Sequence, residues 1–191
     1  MQKVGLASLA FFYCDFRDDE KKDLRGLLSS LIVQLCHQSD PYSDIVVKFY
    51  SEHDKGERHP SDDELARCLT DILKLPGHAP VYLIVDALDE CPNTWAVWSP
   101  RAKVLDLIRE LIESQFPNLR MCVTSRPEAD IKDVLDSLTS RSVSLHDEGG
   151  QKGDIEEYIK SVIKTHPKNR RWTAEHKQLV IDVLTEKANG M

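Results

Sequence analysis

Three stretches of this chain carry long apolar runs: ASLAFFYCDF (7–16), VYLIVD (81–86) and LRMCVTS (119–125). A strand with one wet face alternates apolar and polar residues, whereas a strand covered on both faces does not. A shorter stretch, SVSLH (142–146), reads as a fourth strand. Between them, apolar residues recur at helical spacing. One set is Leu24, Leu27, Leu28, Leu31, Ile32 and Leu35; another is Leu65, Cys68, Leu69, Ile72 and Leu73; a third is Val104, Leu105, Ile108, Leu111 and Ile112. Strands that alternate with amphipathic helices predict an α/β chain, with a parallel sheet and helices on both of its faces.

Helix boundaries are also marked. Asp23 suits an N-cap, Ser61 and Glu64 have capping-box spacing, and Ser99-Pro100 suits an N-cap followed by the first helical position. DIVVKFYSEH (44–53) reads as a short helix, HDKGERHPSDD (53–63) as a loop, and RPEADIKDVLDSL (126–138) as a turn into a helix. Two more helical patterns follow DEGGQKG. The first carries Ile155, Tyr158, Ile159, Val162 and Ile163, the second Leu179, Val180, Val183 and Leu184.

The 191 residues are 41% hydrophobic and 30% charged, which describes a chain with a core rather than a disordered one. A net charge of −7 argues against a general nucleic-acid binder, which needs a basic surface. Five cysteines, with no C-x-x-C pair, read as reduced core residues of a cytoplasmic protein. The seven histidines have no ligand spacing, so no zinc site is expected. The N-terminal MQKVGLASLAFFYCDF has the early lysine and apolar run of a signal peptide. No small-x-small cleavage site follows, and charge-dense DFRDDEKKD does, so a buried strand is expected instead. No run reaches the ~18 apolar residues of a membrane span.

The candidate chemistry lies at strand ends. In an open parallel sheet, ligands sit at the carboxyl ends of the strands. VYLIVDALDEC places Asp86 at one such end, with Asp89 and Glu90 just beyond; LRMCVTSRPE places Thr124, Ser125 and Arg126 at another. An aspartate there can hold hydrated Mg²⁺. A second carboxylate can activate water, and an arginine can balance charge on a terminal phosphate. Each has a plainer reading: Asp86 as a turn residue, Glu90 as a solvated loop residue, Thr124 or Ser125 as a cap for the next helix.

Together the two segments resemble the Walker B and sensor-1 motifs of NACHT-type P-loop NTPases of the STAND class. They are most similar to the large fungal proteins of that class with a nephrocystin-like N-terminal region. Weaker matches are FFYCDFRDDEKKDLRGLLSSLIVQLCHQSD (11–40), PSDDELARCLTDILK (60–74), DIEEYIKSVI (154–163) and EKANGM (186–191). The resemblance implies that Asp86 is associated with Mg²⁺. It implies that Asp89 and Glu90 form the catalytic acidic pair, with Glu90 ahead of Asp89 as the water-activating residue. It implies that Arg126, with Thr124 and Ser125, faces the nucleotide. Such domains are switches: an ADP-bound closed state gives way to an ATP-bound state that oligomerises, and slow hydrolysis resets it. The implied cofactors are Mg²⁺ and ATP or GTP in the full-length protein.

The phosphate-binding loop, G-x-x-x-x-G-K-[ST], is not in the sequence: none of the eight glycines fits it. In the family it lies upstream of the strand at 7–16, so it is expected before Met1. The fold expected is therefore a P-loop NTPase-type three-layer sandwich that lacks its first strand. Residues 1–146 are its incomplete core, and 147–191 begin a helical domain. The missing strand would lie between those at 119–124 and 142–146. This chain alone is expected to bind no nucleotide and to have no ATPase activity. Two further readings compete: a non-catalytic scaffold that keeps the sheet, and a metal phosphohydrolase built on DALDE. The second is disfavoured by leucine at position 88, where such sites need an aspartate.

Overall fold

The structure is a computed structural model that describes residues 6–76, 79–94, 99–144 and 151–187. It divides into two compact units, 1–139 and 140–191. In the first unit the order is β1 (Ser8–Tyr13), α1 (Leu24–Cys36), α2 (Asp40–Glu52), α3 (Asp62–Lys74), β2 (Val81–Asp86), α4 (Pro100–Glu113), β3 (Leu119–Val123) and α5 (Ala129–Leu135). The sheet order is β1-β2-β3, and both pairings are parallel. The register runs from Ser8 opposite Val81 to Tyr13 opposite Asp86, and from Val81 opposite Leu119 to Val85 opposite Val123. That register brings the three carboxyl ends level.

The helix boundaries follow local chemistry. Asp23 accepts a hydrogen bond from the Gly26 amide and opens α1. Ser61 and Glu64 form the full capping box of α3, each satisfying the other's backbone N–H. Ser99 accepts from the Ala102 amide, with Pro100 at the first position of α4. The second helix, α2, begins four residues before the apolar run that announced it, because Ser39 and Pro41 already favour a helix start. All five expected inward residues of α3 are buried, as are Leu27, Leu28, Leu31, Ile32 and Leu35 of α1. They share one core with Ala10, Phe12, Leu83, Val85, Val104 and Ile108.

Two expectations are corrected. The stretch 142–146 does not begin as a strand: residues 142–144 are irregular, and 145–146 lie outside the described residues. Among the described residues the sheet ends at β3 on that side. Nor, among the described residues of the first unit, are both sheet faces covered by helices. One face, with Ala10, Phe12, Leu83 and Val85, is buried; on the other Phe11, Tyr13 and Tyr82 are exposed. Apolar residues on both sides of a strand show that it can be buried twice, not that a second layer is present. Among the described residues the sheet is a two-layer, three-stranded arrangement.

The second unit contains α6 (Gln151–Thr165) and α7 (Ala174–Lys187), which pack on each other. Ile163, Ile181 and Thr185 are buried, while Tyr158, Leu179 and Leu184 are exposed. The two helical periods are both present as helices, and two helices enclose only a narrow buried stripe. No helix among the described residues is long and apolar enough to cross a membrane.

The five cysteines are free; Cys14, Cys68 and Cys91 are buried, Cys36 is half-buried and Cys122 is exposed. Burial pushes the Cys68 thiol up to about 11 and the Cys91 thiol up to about 11. A thiol held protonated and out of water is a poor nucleophile. Limited alkylation of the folded chain, mapped by mass spectrometry, should therefore modify Cys122 first and spare Cys14, Cys68 and Cys91. Early modification of any of those three would contradict this packing.

Candidate functional site

The site is built where β2 and β3 end side by side. Ala87 follows Asp86 in the left-handed region, with φ 54°. That conformation costs an alanine about 1–2 kcal/mol, and it turns the chain sharply off the strand. The next three residues, Leu88–Glu90, make one 3-10 turn. Leu88 is fully buried and anchors the turn, so Asp89 and Glu90 are held at the mouth of the sheet.

Thr124 stitches the two strand ends together. Its amide donates to the Val85 carbonyl at 2.9 Å, and its own carbonyl accepts from the Leu88 amide at 3.0 Å. Its hydroxyl accepts from the Ala87 amide at 3.0 Å and donates to the Asp86 carboxylate. The Asp86 carbonyl accepts from the Cys14 amide at 3.0 Å, which ties in the end of β1. Asp89 is linked to Arg126: one carboxylate oxygen accepts from the Arg126 amide at 3.0 Å, and the other lies 3.4 Å from its Nε. The two ends of that pair differ in environment. The Asp89 side chain is 10% exposed and that of Arg126 is 83% exposed. Glu90 is half-buried, and among the described residues no hydrogen bond or ion pair holds its carboxylate. Its charge is felt by Arg17, whose guanidinium is held mainly by Asp15.

The structure therefore brings Asp86, Asp89, Glu90, Thr124 and Arg126 to one place. Ser125 is exposed beside them. Neither Thr124 nor Ser125 caps the following helix: the N-cap of α5 is Glu128, with no side-chain cap bond. Beneath the cluster lies Cys14. Its thiol is pushed up to about 12 by burial first, then by neighbouring Cys91 and by the charges of Asp86, Asp89 and Glu90. It is a neutral floor, not a nucleophile.

One central residue escaped the sequence reading. Arg101, in the first turn of α4, is 4% exposed. Its Nε donates to the Cys91 carbonyl at 2.8 Å and its Nη2 to the Asp89 carbonyl. Its Nη1 pairs with Glu128 and lies 3.3 Å from Asp130. Burial alone would pull its pKa down, but those two carboxylates outweigh it and raise it. The available signal was its place three residues before Val104, on the inward stripe of α4.

Among the described residues no three His, Cys, Asp or Glu side chains converge as a metal site. The carboxylates thus form no closed cage, which would suit Ca²⁺. Mg²⁺ asks for less, since it takes one or two carboxylates, keeps several waters and fills its shell with substrate phosphate; the single carboxylate of Asp86, held by the Thr124 hydroxyl, is a donor of that kind.

Residues 1–126 match the sequence profile of the family described as nephrocystin 3, N-terminal. The chain belongs to this family. The matched region ends at Arg126, so it takes in β1, β2, β3 and every residue of the cluster. This nephrocystin-type chain is also 29% identical, over 136 residues, to the vegetative incompatibility protein HET-E-1 of Podospora anserina. That alignment covers 70% of the chain and 10% of HET-E-1, so the chain spans about a tenth of this relative's length. The resemblance to fungal NACHT-type proteins with a nephrocystin-like region is borne out by both comparisons. No solved structure matches the chain.

Proposed function

We propose that the chain is part of the nucleotide-binding switch of a NACHT-type signalling protein. The observation that supports this most is the convergence of Asp86, Asp89, Glu90, Thr124 and Arg126 at the carboxyl ends of adjacent parallel strands. The Thr124 hydroxyl orients the Asp86 carboxylate, which would hold hydrated Mg²⁺. Mg²⁺ supplies charge neutralisation for nucleotide phosphates when it is bound. Arg126 is tethered by Asp89 yet keeps its guanidinium in solvent, free to face a terminal phosphate. Glu90, half-buried and without a hydrogen-bond or ion-pair partner among the described residues, is the carboxylate left to orient a water. Residues 1–191 contain no G-x-x-x-x-G-K-[ST] loop to cradle phosphates, so this reading has the cluster act together with such a loop. Nucleotide-controlled oligomerisation, a cytoplasmic location and a signalling role of the kind HET-E-1's name denotes belong to this reading.

A scaffold reading is favoured by one observation: Asp86 and Asp89 are already satisfied by Thr124 and Arg126. Binding separates the two. In a longer gene product that carries the phosphate-binding loop, Asp86→Asn should weaken Mg²⁺-nucleotide binding. Glu90→Gln should leave binding intact and slow turnover, and Arg126→Ala should narrow the preference for ATP over ADP. The 1–191 chain itself should bind neither nucleotide. Three variants indistinguishable from their parent would leave the scaffold reading standing and end the switch reading.

A further inference from the structure

The outer edge of β1 is occupied by side chains rather than by a strand. In a parallel pair, alternate residues of β1 turn both backbone groups toward β2; Ser8 and Cys14 do so through the Pro80 and Asp86 carbonyls. Leu9 and Phe11 therefore face outward. The Leu9 amide donates to Gln38 Oε1 at 2.9 Å, and Gln38 Nε2 donates to the Leu9 carbonyl at 2.7 Å. The Phe11 amide donates to Gln34 Oε1 at 3.1 Å, and Gln34 Nε2 donates to the Phe11 carbonyl at 2.7 Å. The spacing explains the fit. Two residues along a strand advance ~6.6 Å, and four residues along a helix advance ~6 Å. Gln34, in the last turn of α1, and Gln38, in the turn just past its end, thus meet Phe11 and Leu9 on β1, and each primary amide supplies one donor and one acceptor, as a peptide group does.

The amides are also fixed from behind. Gln38 Nε2 donates to the Gln34 carbonyl at 2.7 Å, and Gln34 Nε2 to Ser30 Oγ at 2.9 Å. A backbone carbonyl only accepts, so the Gln38 amide cannot flip without losing that bond.

We propose that Gln34 and Gln38 are a strand mimic that fills the pairing site of β1 and thereby excludes the β1 edge of a second copy of this chain. A second copy is the occupant because the edge is self-complementary. Two β1 strands related by a two-fold axis would each offer the N–H and C=O of Leu9 and Phe11. The surrounding sequence, ASLAFFYC (7–14), has no charge, proline or glycine, which is the composition of a segment that pairs with itself. Phe11 and Tyr13 are exposed beside the edge and available for cross-strand stacking. The groove between β1 and α1 is lined by Leu9, Phe11, Gln34, His37 and Gln38, so the two amides occupy the space beside β1 that a pairing strand would enter.

The test combines amide exchange with sedimentation across concentrations. In the parent chain the Leu9 and Phe11 amides should be protected although they lie on an edge. In Gln34→Ala/Gln38→Ala at low concentration, both should exchange roughly tenfold faster, the effect of losing one ordinary hydrogen bond each. As concentration rises, that variant should form dimers or larger species, and adding Phe11→Lys should return it to monomer. If the double variant does not fold, the single variants decide: Gln34→Ala should speed exchange at Phe11, Gln38→Ala at Leu9, each with weaker self-association. Unprotected amides in the parent, or folded variants that stay monomeric at every concentration, would overturn the proposal.

Discussion

Arg101→Ala is expected to destabilise the first unit by roughly 2–4 kcal/mol. The guanidinium is buried, and it donates to two backbone carbonyls of the site, those of Asp89 and Cys91. Without it both acceptors remain in a place that water does not readily fill, and each unsatisfied group costs about 1–3 kcal/mol. Glu128 and Asp130 would lose less, because their side chains are 43% and 37% exposed and can rehydrate. The expected fall in melting temperature is roughly 4–16 °C, at about 2–4 °C per kcal/mol for a unit of this size. Arg101→Lys should recover only part of this, since one ammonium cannot reach four acceptors set in a fork. The control is Arg109→Ala, which removes a half-exposed arginine paired with Asp106 at 2.7 Å. An exposed pair of this kind contributes about 0–1 kcal/mol. If the two alanine variants melt alike, the Arg101 network is not what holds the Leu88–Glu90 turn. If they differ as expected, faster amide exchange across that turn in Arg101→Ala should accompany the loss.

That residue also marks where reading from sequence stops. Periodicity and capping are local, and they located α1, α3 and α4 because every residue involved lies within a turn or two of its partner. Asp86 and Thr124 were legible for a different reason. Both close apolar runs, and strands that run parallel must bring such ends level. The links from Asp89 to Arg126 and from Arg101 to Glu128 join residues 37 and 27 positions apart. No spacing rule reaches across a helix and a strand to find them. Gln34 and Gln38 failed for a related reason. Polar residues in an amphipathic helix read as its wet side, and only the position of β1 shows what they bond. Residues 142–144, irregular where a strand was expected to begin, show the opposite error. Their composition suits a strand, but a strand exists only where a neighbour accepts its hydrogen bonds.

Gly26→Ala should be destabilising, against the usual rule for a glycine in a helix. Alanine in a helix interior is normally better than glycine by about 0.8–1.0 kcal/mol. Gly26 lies in the first turn of α1, where the loop from β1 folds back over the helix. A Cβ built on it would lie 1.8 Å from the carbonyl oxygen of Glu20. No side-chain rotation relieves that contact, because the obstacle is backbone. The Glu20 segment is itself pinned, with the Lys21 carbonyl accepting from the Asp15 amide at 2.9 Å and the Lys21 amide donating to the Asp18 carbonyl at 3.0 Å. Moving α1 away instead would pull Asp23 off the Gly26 amide, 2.9 Å from its side chain, and so weaken the N-cap. Overpacking of this kind costs roughly 1–3 kcal/mol, enough to reverse the helical preference. Gly153→Ala is the matched control: it lies in α6 and a Cβ there meets nothing within 4 Å. Thermal or denaturant unfolding should place the two variants on opposite sides of the parent, Gly26→Ala below it and Gly153→Ala level with it or above. A Gly26→Ala chain as stable as the parent would mean that the 15–23 loop does not lie across the start of α1.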